Sequence, residues 1–198
     1  MNTRVAELLE EIREREEELE ELIRTHEARL FYKLEGKKIR FDKAVKQAQK
    51  LLKTGIVSWL RDSKPRNVVS APIIYSMIIP FVLLDLCITV YQWLCFPLYR
   101  ISKVKRGKHI VIDRFHLSYL NSIEKLNCTY CGYVNGLISY AREIVARTEQ
   151  YWCPIKHAHK VLDTHKRYAH FAEFGDAEAY KEAMLRRFES PTQQPGTE

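Results

Sequence analysis

The sequence predicts a mostly α-helical protein with one membrane-embedded helical segment, and three observations carry that prediction. Residues 4–34 contain neither Gly nor Pro and place apolar residues at heptad spacing. Residues 70–99 read SAPIIYSMIIPFVLLDLCITVYQWLCFPLY, thirty residues in which Asp85 is the one charge. Residues 137–152 carry Leu137, Ile138, Ala141, Ile144, Val145, Thr148 and Trp152, a stripe of helical period. The chain has 198 residues, 46 % of them hydrophobic and 29 % charged, with Gly and Pro at 7 each. That composition excludes disordered, collagen-like and low-complexity classes.

The net charge of +7 is unevenly spread. Residues 1–35 hold 11 acidic and 6 basic residues. Within them Val5, Ile12, Leu19 and His26 repeat every seven positions, joined by Leu8, Leu22, Leu9, Ile23 and Leu30. This acidic, coiled-coil-like helix offers residues 4–34 for self-association or for a partner helix. Arg15 and Arg29 fall in the seam and weaken it.

Gly36 interrupts the pattern, and residues 36–67 then hold 10 basic residues against Asp42 and Asp62. Ile39, Phe41, Val45, Ala48, Leu51, Leu52, Ile56, Trp59 and Leu60 alternate with lysines, the pattern of a basic amphipathic helix at a membrane surface. The stretch runs straight into the most apolar part of the chain. Its partners are therefore the lipid bilayer and anionic head groups, not nucleic acid.

Residues 68–101 form the membrane-embedded segment, longer than the ~20 helical residues a bilayer core requires. Tyr91, Trp93, Phe96 and Tyr99 gather at one end like an interfacial belt. Basic residues flank both ends, so the positive-inside rule orients the segment weakly and favours the cytoplasmic side for the bulk of the chain. Two arrangements remain open: a single kinked span, or a re-entrant segment broken near Pro80 and Asp85. Asp85 at mid-depth costs about 2.5–3.5 kcal/mol on insertion scales, so it must be paired or lifted into water.

Residues 102–189 read as a small helical domain. HIVIDRF at 109–115 suits a short strand, and residues 114–131 and 137–153 suit an antiparallel helical hairpin turning through Gly132, Asn135 and Gly136. Asp176 can cap a last helix over 177–189, and the polar tail 190–198 reads as disordered.

The chemistry-bearing residues lie in this domain. Cys128-Thr-Tyr-Cys131-Gly and Cys153-Pro-Ile-Lys-His157 supply the four ligands of a tetrahedral Cys3His site, for zinc or alternatively iron. CxxCGY followed by a later CP is similar to pieces of a rubredoxin or zinc ribbon, which implies a shared metal. The second half differs from that pattern in reading Cys-x3-His, and the intervening sequence is helical. One straight helix over 137–152 would hold the two pairs ~24 Å apart, so a shared ion needs a broken helix, a chain that folds back after Pro154, or two molecules meeting head to tail. In the hairpin arrangement His116 and Glu149 approach Cys153 and His157 as further ligands. Glu143 faces solvent, Glu149 pairs with Arg142 or Arg147, and Glu124 lies level with Ile144.

His157, His159, His165 and His170 add four of the seven histidines within fourteen residues. No GxSxG, phosphate loop, dinucleotide fingerprint or HExxH occurs. The sequence leaves open whether the chain is an enzyme. Its leading reading is a membrane-attached protein with a cytoplasm-facing structural zinc site. The alternatives are a redox enzyme using the Cys128/Cys131 dithiol or a metal centre on a lipid-soluble substrate, and a scaffold without metal.

Overall fold

A computed structural model describes residues 10–19, 21, 22, 25, 32–35, 38–41 and 43–189. Most of the heptad positions of the arm, among them Val5 and His26, and the tail 190–198 lie outside the described residues. The fold is mostly helical, and the chain divides into two compact units. One comprises residues 1–61 with 113–125, the other residues 62–112 with 126–198.

In the first unit, helix α1 covers residues 10–19 and leaves Ile12 and Leu19 exposed, with Arg15 paired to Glu18 at 3.0 Å. Strands β1 (Tyr32–Glu35) and β2 (Lys38–Phe41) form an antiparallel hairpin, Tyr32 opposite Phe41 and Glu35 opposite Lys38. The helix expected to reach residue 34 and the one expected to run through 36–67 are therefore both corrected. A two-residue connection with Gly first favours a tight hairpin, and YKLE and KIRF alternate at the period of a strand. Helices α2 (Lys43–Leu51) and α3 (Ile56–Asp62) follow, separated by a loop ending in Gly55. Gly and Pro punctuate the stretch too often for one long helix.

The second unit is built on α4 (Pro65–Ser76) and α5 (Ile78–Leu98). Together, residues 65–98 are 34 residues long and apolar enough to cross a membrane. The interruption falls at Met77, not at Pro80 or Asp85. Pro80 has no N–H to offer the Ser76 carbonyl, so the chain slackens one turn before it. Phe81 still bonds back to the Met77 carbonyl at 3.3 Å.

Helix α5 ends in a Schellman motif: Ile101 N–H bonds to Phe96 O at 2.8 Å and Arg100 N–H to Pro97 O at 3.2 Å. Arg100 takes the left-handed position at φ 55°, which normally falls to Gly. This reversal sends residues 101–112 back along α5. Val104 meets Gln92, Arg106 meets Asp85, His109 bonds Ser139 at 2.9 Å, and Val111 reaches Gly132. The expected strand at 109–115 is absent; residues 109–112 are irregular and Arg114–His116 is a 3-10 turn.

Helix α6 runs unbroken from Ser122 to Trp152, which overturns the hairpin. Gly132 and Gly136 lie inside it. A Cβ on Gly136 would stand 2.7 Å from His109 O and from Ile110 Cα; on Gly132 it would stand 3.3 Å from Val111 O. These glycines serve a close crossing by the returning chain rather than a turn. The start of α6 is a capping box: Asn121 Oδ1 accepts from Ile123 and Glu124 N–H at 3.0 Å each, and Glu124 Oε2 accepts from Asn121 N–H at 2.8 Å. Glu124 is thus a cap, not a residue level with Ile144.

Helices α4 and α5, end to end, run alongside α6 in the same direction, as successive contacts show. Tyr75 bonds Asn127, Tyr133 bonds Asp85, Gln92 bonds Tyr140, Tyr91 bonds Thr148, and the Tyr99 ring lies 5.0 Å from that of Tyr151. Phe96, Val104, Leu137, Tyr140 and Ile144 form the buried core between them. Burying each large side chain contributes about 1.5–3 kcal/mol. Past Pro154 the chain makes a parallel bridge between Ile155 and Ala172, then a 3-10 turn, Lys166–His170. Helix α7 (Ala177–Glu189) is capped as its sequence indicates, Asp176 Oδ1 accepting from Ala179 N–H at 2.9 Å.

Candidate functional site

The chemically loaded side chains of the second unit lie along α6, in three groups. The first surrounds Asp85. Its carboxylate takes a bidentate grip from Arg106, at 2.9 Å on Oδ1 and 2.7 Å on Oδ2. Tyr133 O–H donates to Oδ2 at 2.8 Å, and Thr89 O–H to Oδ1 at 3.3 Å. Asp85 is thus paired, the first of the two outcomes its sequence context allowed. Burial, then the hydrogen bond and the nearby charge of Asp85, push the Tyr133 phenol above its ordinary value; Arg106 opposes them. Tyr133 therefore stays a proton donor, the role its hydrogen bond requires.

Two turns of α5 beyond Asp85, Gln92 joins three parts of the unit. It donates to Tyr140 Oη at 2.9 Å and accepts from Val104 N–H at 2.6 Å. Both Gln92 and Tyr140 are buried. Such a pair costs free energy unless both ends are satisfied, and here they are.

The second group is centred on Glu143. Its Oε1 accepts from Arg147 Nε and from Arg167 Nη2, each at 2.8 Å. Arg167, nearly fully buried, also reaches Gln150 at 2.8 Å, and Arg147 reaches the Ser102 carbonyl at 2.6 Å. Burial alone would raise the Glu143 carboxyl, but the hydrogen bonds from Arg147 and Arg167 hold it below its ordinary value. Glu143 is therefore corrected from a solvated residue to the hub of a cluster. The third group is a pair, Glu149 Oε2 with His165 Nε2 at 2.9 Å. Glu149 thus finds a histidine instead of Arg142 or Arg147; Arg142 pairs with Asp163 at 3.2 Å.

The expected Cys3His set is pulled apart. Cys128 is half-buried and Cys131 exposed on α6, while Cys153 and His157 follow its far end. At 1.5 Å per residue, Cys131 and Cys153 stand about 33 Å apart along one helix. The His157 ring stacks on that of Tyr168 at 6.2 Å. His116 lies in the 3-10 turn of the first unit, its ring 4.0 Å from that of Phe115. The hairpin of 114–131 with 137–153 that was to bring His116 and Glu149 to Cys153 does not exist. Among the described residues no three of His, Cys, Asp and Glu gather as metal ligands would.

What does converge is acid matched to base. Arg106, Tyr133, Arg167 and His165 were not read as Asp85, Glu143 and Glu149 partners, because their separations of 16 to 48 residues follow no local period. The one available signal was the expectation that Asp85 be paired or lifted into water. No family model, curated protein or solved structure matches the chain.

Proposed function

We propose that the chain is a membrane-attached helical scaffold, without a metal shared inside one copy. The observation that supports it is the Asp85 clamp. A carboxylate in mid-helix of the apolar segment is neutralised by Arg106 from the returning chain and Tyr133 from α6. Such an arrangement fixes a folded unit rigidly to a lipid-facing helix; its groups are saturated by one another. The acidic arm, with Ile12 and Leu19 exposed on α1, is the surface for self-association or a partner helix. Basic flanks on both sides of the apolar segment support a cytoplasmic position for the bulk of the chain.

A second reading has one observation in its favour: Cys131, Cys153 and His157 are all exposed. A zinc or iron ion could then be held between two copies meeting end to end, or Cys128 and Cys131 could cycle as a dithiol on a lipid-soluble substrate. Elemental analysis of anaerobically purified protein, beside a Cys128→Ser/Cys153→Ser variant, separates these readings. The scaffold predicts no stoichiometric metal in either sample and an unchanged fold in the variant. About one metal per two chains, lost in the variant together with dimerisation, would replace it with the metal reading. Reversible oxidation of Cys128 and Cys131 in the membrane would replace it with the redox one.

A further inference from the structure

Helix α5 has two unlike sides. One side carries Phe81, Asp85, Ile88, Gln92 and Phe96 and is covered by α6 and the returning chain. The other carries Ile79, Leu83, Leu86, Val90, Leu94 and Leu98, all exposed. The returning chain lies at the middle of the helix, with Val104 at Gln92 and Arg106 at Asp85. Apart from a single 3-10 turn at Arg106–Lys108 it is irregular backbone, and Lys103, Lys105 and Lys108 on it are exposed.

A helix ringed by lipid is incompatible with that cover. Lipid-exposed irregular loops do not occur within the hydrocarbon layer, because their backbone groups find no partners there. Lysine at mid-depth is among the most expensive side chains to insert. Water or head groups must therefore reach the covered side of α5 at the level of Asp85, while the opposite side offers six aliphatic residues to an apolar phase.

Building on the membrane attachment proposed above, we infer that α4 and α5 lie in the plane of one leaflet of an anionic bilayer. The aliphatic side is immersed, and the cationic returning chain sits at head-group depth. The protein is then monotopic: the segment neither crosses the bilayer nor dips into it as a hairpin. Charge argues for this occupant over a second copy of the chain. Lys64 and Arg66 precede the aliphatic face and Lys103, Lys105 and Lys108 run beside it, so two copies face to face would bring like charges together, whereas anionic head groups complement them. The arrangement also accounts for basic residues at both ends of the apolar segment, which a crossing helix would not favour.

The test is chemical modification of the native chain in sealed membrane vesicles, using an impermeant amine-acylating reagent read by mass spectrometry. In-plane attachment predicts that Lys64, Lys103, Lys105 and Lys108 are modified together from one side and protected together from the other. Modification of Lys64 and Lys108 from opposite sides would overturn it and leave membrane attachment standing. So would Lys105 remaining unreactive from both sides until detergent is added. Recovery of the chain as a soluble dimer, absent from the membrane fraction, would overturn both readings. As a second readout, bromine-labelled acyl chains are expected to quench Trp93 at shallow positions, with quenching falling severalfold for labels at the bilayer centre.

Discussion

Removing Arg106 is the sharpest perturbation of the Asp85 clamp. Arg106→Ala leaves a carboxylate 11 % exposed in the middle of α5, with Tyr133 and Thr89 as its remaining partners. Breaking a fully buried ion pair from one side costs about 3–5 kcal/mol. The Arg106 side chain is 47 % exposed, so water can reach the vacated position; the loss is then about 2–3 kcal/mol. For a chain of this size that lowers Tm by about 4–12 °C. Asp85→Asn keeps an acceptor for Tyr133 and leaves Arg106 free to hydrate, costing about 1 kcal/mol. The double variant Asp85→Leu/Arg106→Met replaces the pair with apolar side chains and should return to within about 1 kcal/mol of the parent. Thermal unfolding in micelles, followed by circular dichroism, of this double variant beside the single variants Asp85→Leu and Arg106→Met supplies the cycle. A coupling of about 1.5 kcal/mol or more is expected. Additive effects, or an Arg106→Ala loss under about 0.5 kcal/mol, would refute the claim that this pair pins α5 to the rest of the unit.

The other predictions concern backbone, cap and titration. Gly136→Ala should destabilise by about 1–3 kcal/mol, because its Cβ meets backbone at 2.7 Å. Gly132→Ala meets one oxygen at 3.3 Å and gains helix propensity, so it should stay within about 1 kcal/mol of the parent; equal losses would contradict the crossing geometry. Arg100→Gly relieves a left-handed position and should raise stability by about 0.5–1 kcal/mol in the same unfolding assay, and a loss there would count against the Schellman reversal. Asn121→Ala removes the acceptor for two N–H groups, and about 1–2 kcal/mol should be lost with early hydrogen exchange in the first turn of α6. Glu143 has a carboxyl held below its ordinary 4.5, so it binds its proton less readily folded than unfolded. Its stabilisation is present above pH 4.5 and is lost as pH falls through the depressed value. Glu143→Gln should flatten the acid limb of the stability profile, and an unchanged limb would show that the cluster contributes nothing.

The apolar segment was legible because composition over thirty residues outweighs local detail, and the expectation that Asp85 be paired or reached by water followed from the same fact. The identity of its partners was not legible. Arg106 and Tyr133 reach it through a chain reversal that Arg100 achieves without the glycine that would have announced it. Gly132 and Gly136 misled for a related reason. The missing Cβ that permits a turn also permits a backbone crossing, and sequence alone does not say which. The Asn121 to Glu124 box is a readable start signal that places the first turn of α6 at residue 122; the helix expected from residue 114 onward ran across it. Within one copy the Cys3His pattern fails on distance. The spacing within each pair suits a metal, but an unbroken α6 separates the pairs.

Membrane attachment through the aliphatic side of α5 is the centre of this account, and vesicle flotation tests it most directly. Purified chain mixed with sealed vesicles containing anionic lipid should rise with them in a density gradient. A Leu83→Lys/Leu94→Lys variant, changed on the exposed side alone, should keep its circular dichroism spectrum and remain at the bottom. A parent chain that stays folded, soluble and at the bottom would contradict the account.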